Sequence, residues 1–308
     1  MILCCGEALI DMIPTATTQG PDGFVPHSGG AVFNTAIALG RLGAQTGMLS
    51  GISTDMFGRQ LIDGLEASHV NTSRVIFSDR PTTLAFVQLT DGHATYDFYD
   101  ENSAGRMLVP DDMPRLTDEI TALFFGGISL ACEPCADAYA ALLLREADQR
   151  VIMMDPNIRP GFIKDIPRYR TRLTSMITKA DIIKVSDEDL NWIMPDITNQ
   201  QVQIAALLDS GPSLVVLTRG SEGATGFVAN GTEVSVPAQN VVAVDTVGAG
   251  DTFNAGILAK LSQLGLLGKT EVKNLDATTL ETVLQYGAKV ASITVSRSGA
   301  NPPWAKEL

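Results

Sequence analysis

Short apolar runs recur along the chain at residues 2–5, 123–125, 151–154, 181–185 and 214–217. Most are closed by Gly, Asp or Ser and followed by residues with helical spacing. Runs that are apolar on both faces and alternate with helices predict a parallel sheet covered on both sides, a three-layer αβα core of the α/β class. Ligands of such sheets sit beyond the carboxyl ends of the strands, so the residues just after each run carry most of the functional interest. Residues 84–89 and 94–99 have a different texture. They alternate as a half-exposed antiparallel hairpin across Asp91-Gly92-His93. Together with the Gly-, Pro- and Thr-rich stretch from Ile10 to Pro26 they predict a small β-sheet lid, about 11–27 and 82–104, inserted into a single 1–308 domain. A second hairpin, 225–229 with 232–236, turns at Asn230-Gly231. There is no internal repeat and no low-complexity tract.

Composition narrows the function. With 308 residues, 45% hydrophobic and 19% charged, the chain can bury a large core, which excludes a disordered tail. Lys plus Arg number 22 against 35 Asp plus Glu, a formal charge of −13 with no basic run, which argues against nucleic-acid binding. The first residues lack a basic leader and meet Glu7 and Asp11, unlike a signal peptide, and no uncharged apolar stretch is long enough to span a bilayer. A soluble cytoplasmic protein is expected. Cys132 and Cys135 have the spacing of a redox pair without a thioredoxin-like setting, and read as ordinary thiols near a helix start. Cys4 and Cys5, adjacent in a strand, face opposite ways and cannot easily share a metal with them.

The most informative stretch is Val241-Val242-Ala243-Val244-Asp245-Thr246-Val247-Gly248-Ala249-Gly250-Asp251-Thr252-Phe253. An apolar run, expected to be a strand, leads into small residues and then a helix in which Phe253 and Ile257 share a face. Gly248 and Gly250 would let the N–H groups of Gly248, Ala249, Gly250 and Asp251 converge on a phosphate oxygen at the helix start. Asp251 beside that pocket suits the acceptance of a hydroxyl proton as the hydroxyl attacks phosphorus. The bland alternative is a tight loop with Asp251 as an N-cap. It is not a Walker loop, since no Gly-Lys-Ser/Thr follows, and it is not a dinucleotide fingerprint, since the third glycine is missing.

Asp245-Thr246-Val247-Gly248-Ala249-Gly250-Asp251 resembles the carboxy-terminal signature of the ribokinase-like (PfkB) carbohydrate kinases. Gly29-Gly30-Ala31-Val32-Phe33-Asn34-Thr35-Ala36, followed by Leu39-Gly40-Arg41-Leu42-Gly43, resembles the amino-terminal one. The resemblance covers essentially the whole chain and implies ATP-dependent phosphorylation of a sugar hydroxyl, with magnesium. It implies Asp251 as base, with Asp11, Gly29, Gly30, Asn34, Phe98 and Arg159 on the sugar or the transferred group. It also implies Thr218, Gly220 and Gly223 beside the nucleotide, and potassium near Asp245 and Val247. Ser186-Asp187-Glu188-Asp189 aligns with the family's Asn-x-x-Glu element, which orders magnesium through water. Ser186 and Asp189 depart from it, so Asp189, or Glu188 instead, is the magnesium-side candidate.

Aromatic Phe98 and Tyr99 suit the C–H face of a sugar. Asp100 stands where acid-sugar kinases of the family typically carry Arg, and a carboxylate there would repel an acid sugar, which favours fructose. Resemblance to the bacterial members with that substrate suggests the 6-hydroxyl. The alternatives are 2-keto-3-deoxygluconate or ribose as acceptor, a non-catalytic sugar-binding relative, or a nicotinamide oxidoreductase, which would lack its early glycine fingerprint here. A homodimer through the lid is expected by family analogy alone.

Overall fold

The computed structural model describes residues 1–18, 20–90 and 93–308. Among them, nine strands form the central sheet. Their order is Glu233–Val236, Ala224–Val228, Leu214–Thr218, Ile182–Ser186, Val151–Asp155, Ala122–Gly126, Ile2–Cys5, Thr46–Leu49 and Val70–Asn71. From Leu214–Thr218 onward neighbours run parallel, while the two strands at the other edge form an antiparallel hairpin.

Side-chain alternation along these strands builds two cores, one on each face. Ile2, Cys4, Phe124 and Met153 are buried with Phe253 and Ile257 of helix Ala249–Gln263 and Leu284 of helix Ala277–Val295. Leu3, Cys5, Phe125 and Met154 are buried on the other side with Tyr139 of helix Cys135–Glu146 and Leu173 of helix Ile166–Ile177. Fully burying each such side chain contributes on the order of 1.5–3 kcal/mol, which is what holds the helical layers to the sheet. The four cysteines are free and buried. Helices Ala249–Gln263 and Ala277–Val295 approach with almost no side chain between them, since a Cβ on Gly256 would stand 2.6 Å from the Gly287 Cα. That contact fixes where helix Ala249–Gln263 begins.

A four-stranded sheet lies apart from the core in the order Gly23–Gly29, Leu9–Thr15, Leu84–Thr90, His93–Tyr99. Leu9–Thr15 is parallel to Leu84–Thr90, and the outer pairings are antiparallel. The chain leaves the carboxyl end of Ile2–Cys5 to form the first lid strands and returns through Gly30 into helix Ala31–Arg41, so the lid roots beside the end of the sheet where ligands bind. Phe86 joins the lid strands through edge-on contacts to Phe24 at 5.0 Å and Tyr99 at 5.4 Å. The turn at Asp91-Gly92 lies outside the described residues. A two-stranded sheet, Gly51–Ser53 with Ile76–Ser78, completes the strands.

Residues 241–244 are not a strand. Val242 is 84% exposed, and the N–H groups of Val244 and Asp245 go to the Val295 carbonyl at a helix end rather than to a strand ladder. Among the described residues, no helix is long and apolar enough to cross a membrane.

Candidate active site

Helix Ala249–Gln263 starts after Gly248, which takes a left-handed φ of 78° and whose Cβ would meet Ala300 Cβ at 2.6 Å. Only glycine fits both demands. Thr252 N–H bonds back to the Gly248 carbonyl at 2.9 Å, and Ala249 N–H reaches the Thr246 carbonyl at 3.3 Å. The N–H groups of Gly250 and Asp251 fall on the first turn, where the helix offers them no acceptor and its dipole is positive. A Cβ on Gly250 would lie 3.2 Å from Lys184 Nζ, so an ammonium and the helix start share one patch.

Asp251 is the third helical residue, not the N-cap, and is only 8% exposed. Its Oδ2 accepts from Asn34 Nδ2 at 2.9 Å, and its carbonyl accepts from Thr35 Oγ1 at 3.1 Å. Helix Ala31–Arg41 therefore clamps it. Burial lifts the Asp251 carboxyl to about 7; the Asn34 hydrogen bond opposes the rise, the Asp155 charge adds to it, and the Lys184 ammonium opposes it again. Asn34 thus gives one amide N–H to Asp251, a partner the sequence had not indicated.

Lys184 escaped the sequence reading because it lies in an apolar strand, although a lysine in such a strand is itself a signal. Its Nζ donates to Asp155 Oδ2 at 2.9 Å, and Asn254 Nδ2 donates to the same oxygen at 2.7 Å. Burial alone would lower the Lys184 pKa, but Asp155 outweighs it and holds the ammonium above its ordinary value.

Lys184 and residues 248–251 line one cavity of about 790 Å³. At its lid side, Asp11 sits on strand Leu9–Thr15, and no donor among the described residues reaches its carboxylate. Burial raises that carboxyl to about 6. Gly29 lies across the ladder, and any Cβ there would overlap Asp11 Oδ2. Gly30, at φ 105°, brings its backbone beside Glu7. Glu7 joins helix Ala31–Arg41 to the core by accepting the Ala31 N–H at 3.0 Å and the Ser129 N–H at 3.2 Å. Phe98 meets Phe162 edge-on at 4.3 Å, bridging lid and core. Arg159 lines the cavity with its Nη1 on the Ile158 carbonyl at 3.1 Å, and has no carboxylate partner among the described residues.

Other candidates lie elsewhere. Thr218, Gly220 and Gly223 do not line the cavity; Gly223 leaves room for the Val236 carbonyl in the edge hairpin. Asp189 accepts on both oxygens, on Oδ1 from the Ile158 N–H at 2.8 Å and on Oδ2 from the Ser186 hydroxyl at 2.8 Å and N–H at 3.2 Å. The bonds with Ser186 form a capping box at the start of helix Asp187–Ile193, and Glu188 is exposed. Asp245 accepts the Val247 N–H at 3.0 Å and the Gly299 N–H at 2.9 Å, and only Val247 of that pair lines the cavity. Among the described residues, no three His, Cys, Asp or Glu gather as a metal cluster. Asp100 is not a lone carboxylate, because Arg106 pairs with it at 2.7 Å; the repulsion expected from it is cancelled within the pair.

The family model described as pfkB family carbohydrate kinase matches residues 1–307. The chain is 54% identical over 281 residues to a fructokinase of Rhizobium leguminosarum bv. trifolii, covering 91% of this chain and 85% of that protein. It is 32% identical over 310 residues to the probable fructokinase-3 of Arabidopsis thaliana, covering 98% and 88%. The crystal structure of fructokinase with bound ATP from Xylella fastidiosa superposes with a TM-score of 0.88 at 26% identity, over 97% of this chain and 93% of that one.

Proposed function

The chain belongs to the pfkB family of carbohydrate kinases, and from that premise we propose that it transfers the γ-phosphoryl group of ATP to D-fructose, giving fructose 6-phosphate. The observation that carries this reading is a buried carboxylate, Asp251, clamped by Asn34 at a free helix start inside the cavity that also holds Asp11.

The chemistry follows from these positions. Asp11 accepts hydrogen bonds from fructose hydroxyls, and Phe98 packs on the C–H face. The attacking hydroxyl faces Asp251; its O–H bond breaks as the new O–P bond forms and the bond from Pγ to ADP breaks, and the proton passes to Asp251. The N–H groups of Gly250 and Asp251, with that of Gly248, stabilise charge on the phosphoryl oxygens, the Ala249 N–H being held by the Thr246 carbonyl, and Lys184 and Arg159 add positive charge nearby. Closure of the lid excludes water and limits ATP hydrolysis.

Thr218 ends the strand neighbouring that of Lys184, Gly220 and Gly223 follow it, and the three serve the nucleotide outside the sugar cavity. Asp189 Oδ1, which keeps a lone pair beyond its one N–H, or Glu188 would orient water around a magnesium ion carried on the nucleotide's phosphates, where the ion would neutralise phosphate charge. Potassium would be held by Asp245, whose oxygens each keep a lone pair beyond their one N–H, together with carbonyls near Val247. It would stiffen the loop before the helix. Exposed Phe24, Val25 and Tyr99 on the lid suit a homodimer.

A coupled ADP-release assay with fructose, 2-keto-3-deoxygluconate and ribose at equal concentration tests the substrate. Fructose is expected to give the highest kcat/KM, and absence of that preference would defeat the assignment.

A further inference from the structure

Asp100 and Arg106 form a desolvated ion pair in the wall of the sugar cavity, with side chains only 10% and 16% exposed. Arg106 Nη1 donates to Asp100 Oδ1 at 2.7 Å, and Nε donates to the Glu133 carbonyl at 3.0 Å. These two bonds fix the plane of the guanidinium. Among the described residues nothing accepts from Nη2, so a donor remains for a ligand. The same cavity is lined by the acids Asp11, Glu7 and Asp251 and by the bases Arg159, Lys164 and Lys184, and to that mixed wall the Asp100–Arg106 pair adds no net charge of its own.

We propose that the Asp100–Arg106 pair sets the charge selectivity of the sugar pocket. Arg106 offers a directed N–H to a sugar oxygen, while Asp100 cancels the positive charge that would draw in a sugar carboxylate. A neutral polyol uses such a wall fully, since its hydroxyls both accept from Nη2 and donate to the Asp100 carboxylate. An acid sugar finds a donor whose charge is already compensated. The proposal deepens the fructose assignment and rests on it.

The variant Asp100→Asn keeps the shape of the side chain and leaves Arg106 uncompensated. Its kcat/KM for 2-keto-3-deoxygluconate is expected to rise at least ~tenfold over the parent, the difference between a charged and a neutral hydrogen-bond partner, while that for fructose falls. Arg106→Met, which leaves the carboxylate alone, is expected to lower fructose turnover with no gain on the acid sugar. A fall for fructose in Asp100→Asn without any gain for the acid sugar would overturn the proposal, because a purely structural pair behaves that way.

Should the variants fail to fold, the parent enzyme supplies the test. The neutral carboxamide of the acid sugar is expected to exceed the acid in kcat/KM by at least ~tenfold, and equal use of the two would overturn the proposal. Fructose is measured alongside. If the parent does not phosphorylate it, the substrate assignment has failed; if it does and the charge contrast is missing, the ion-pair inference alone has failed.

Discussion

Replacing Asn34 by alanine separates a base tuned by its neighbour from a carboxylate merely buried beside it. The change removes the donor 2.9 Å from Asp251 Oδ2. That donor favours the ionised carboxylate, so its loss raises the Asp251 pKa above the present value of about 7. A hydrogen bond to a charged group has a net value of about 1.5–3 kcal/mol, part of which survives when the acid is protonated; at about 1.4 kcal/mol per pKa unit the expected rise is roughly one unit. A base works only when ionised, so the acid limb of the pH profile moves upward. At pH 7 the ionised fraction drops from about a half to about a tenth, a loss of roughly fivefold in kcat/KM for fructose, and near pH 9 the two proteins converge. The coupled assay from pH 5.5 to 9.5 reads this directly, and titration of ATP itself is common to both proteins. An unchanged midpoint with a uniform loss would refute the reasoning, as would a limb displaced to lower pH.

Other outcomes follow from the same geometry. Gly248→Ala forces a side chain into a left-handed backbone against Ala300, and is expected to destabilise by about 1–3 kcal/mol, visible as a lower Tm; an unchanged Tm would contradict it. Lys184→Met leaves the buried Asp155 carboxylate without its cation, at a cost of about 3–5 kcal/mol in urea unfolding, much of which Lys184→Met with Asp155→Asn should restore. Additive losses in the double variant would show that the two are not coupled. Burial pushes the Cys132 thiol up to about 12, so iodoacetamide at pH 8 is expected to label it slowly in the native protein and readily after unfolding; fast native labelling would contradict that.

The sheet was legible where strands are apolar on both faces. Residues 2–5 alternate between the two cores as their pattern required, and the glycine start of helix Ala249–Gln263 was readable from its small residues. Thr46–Leu49 is too mixed and Val70–Asn71 too short to stand out, and pairing with their neighbours makes them strands. The valines at 241, 242 and 244 carry strand propensity, yet their segment is held by a helix-end carbonyl that no local pattern reveals. Within the site, residue types were readable and partners were not. Asn34 and Asp251 are 217 positions apart, and Lys184 and Asp155 are 29 apart. Only the folded topology shows that Asn34 serves the carboxylate, that Lys184 stands beneath the helix start, and that Arg106 compensates Asp100. The bond from the Ile158 N–H to Asp189 Oδ1, across 31 positions, was hidden from the local sequence in the same way.

The most direct test of the central claim is the turnover of Asp251→Asn with fructose and ATP, measured together with fructose binding by calorimetry. The side chain keeps its size and loses its basicity. Turnover is expected to fall by at least ~10², the usual contribution of a placed base, while fructose binds within a few-fold of the parent. Turnover close to the parent's would contradict the account and remove Asp251 from the reaction.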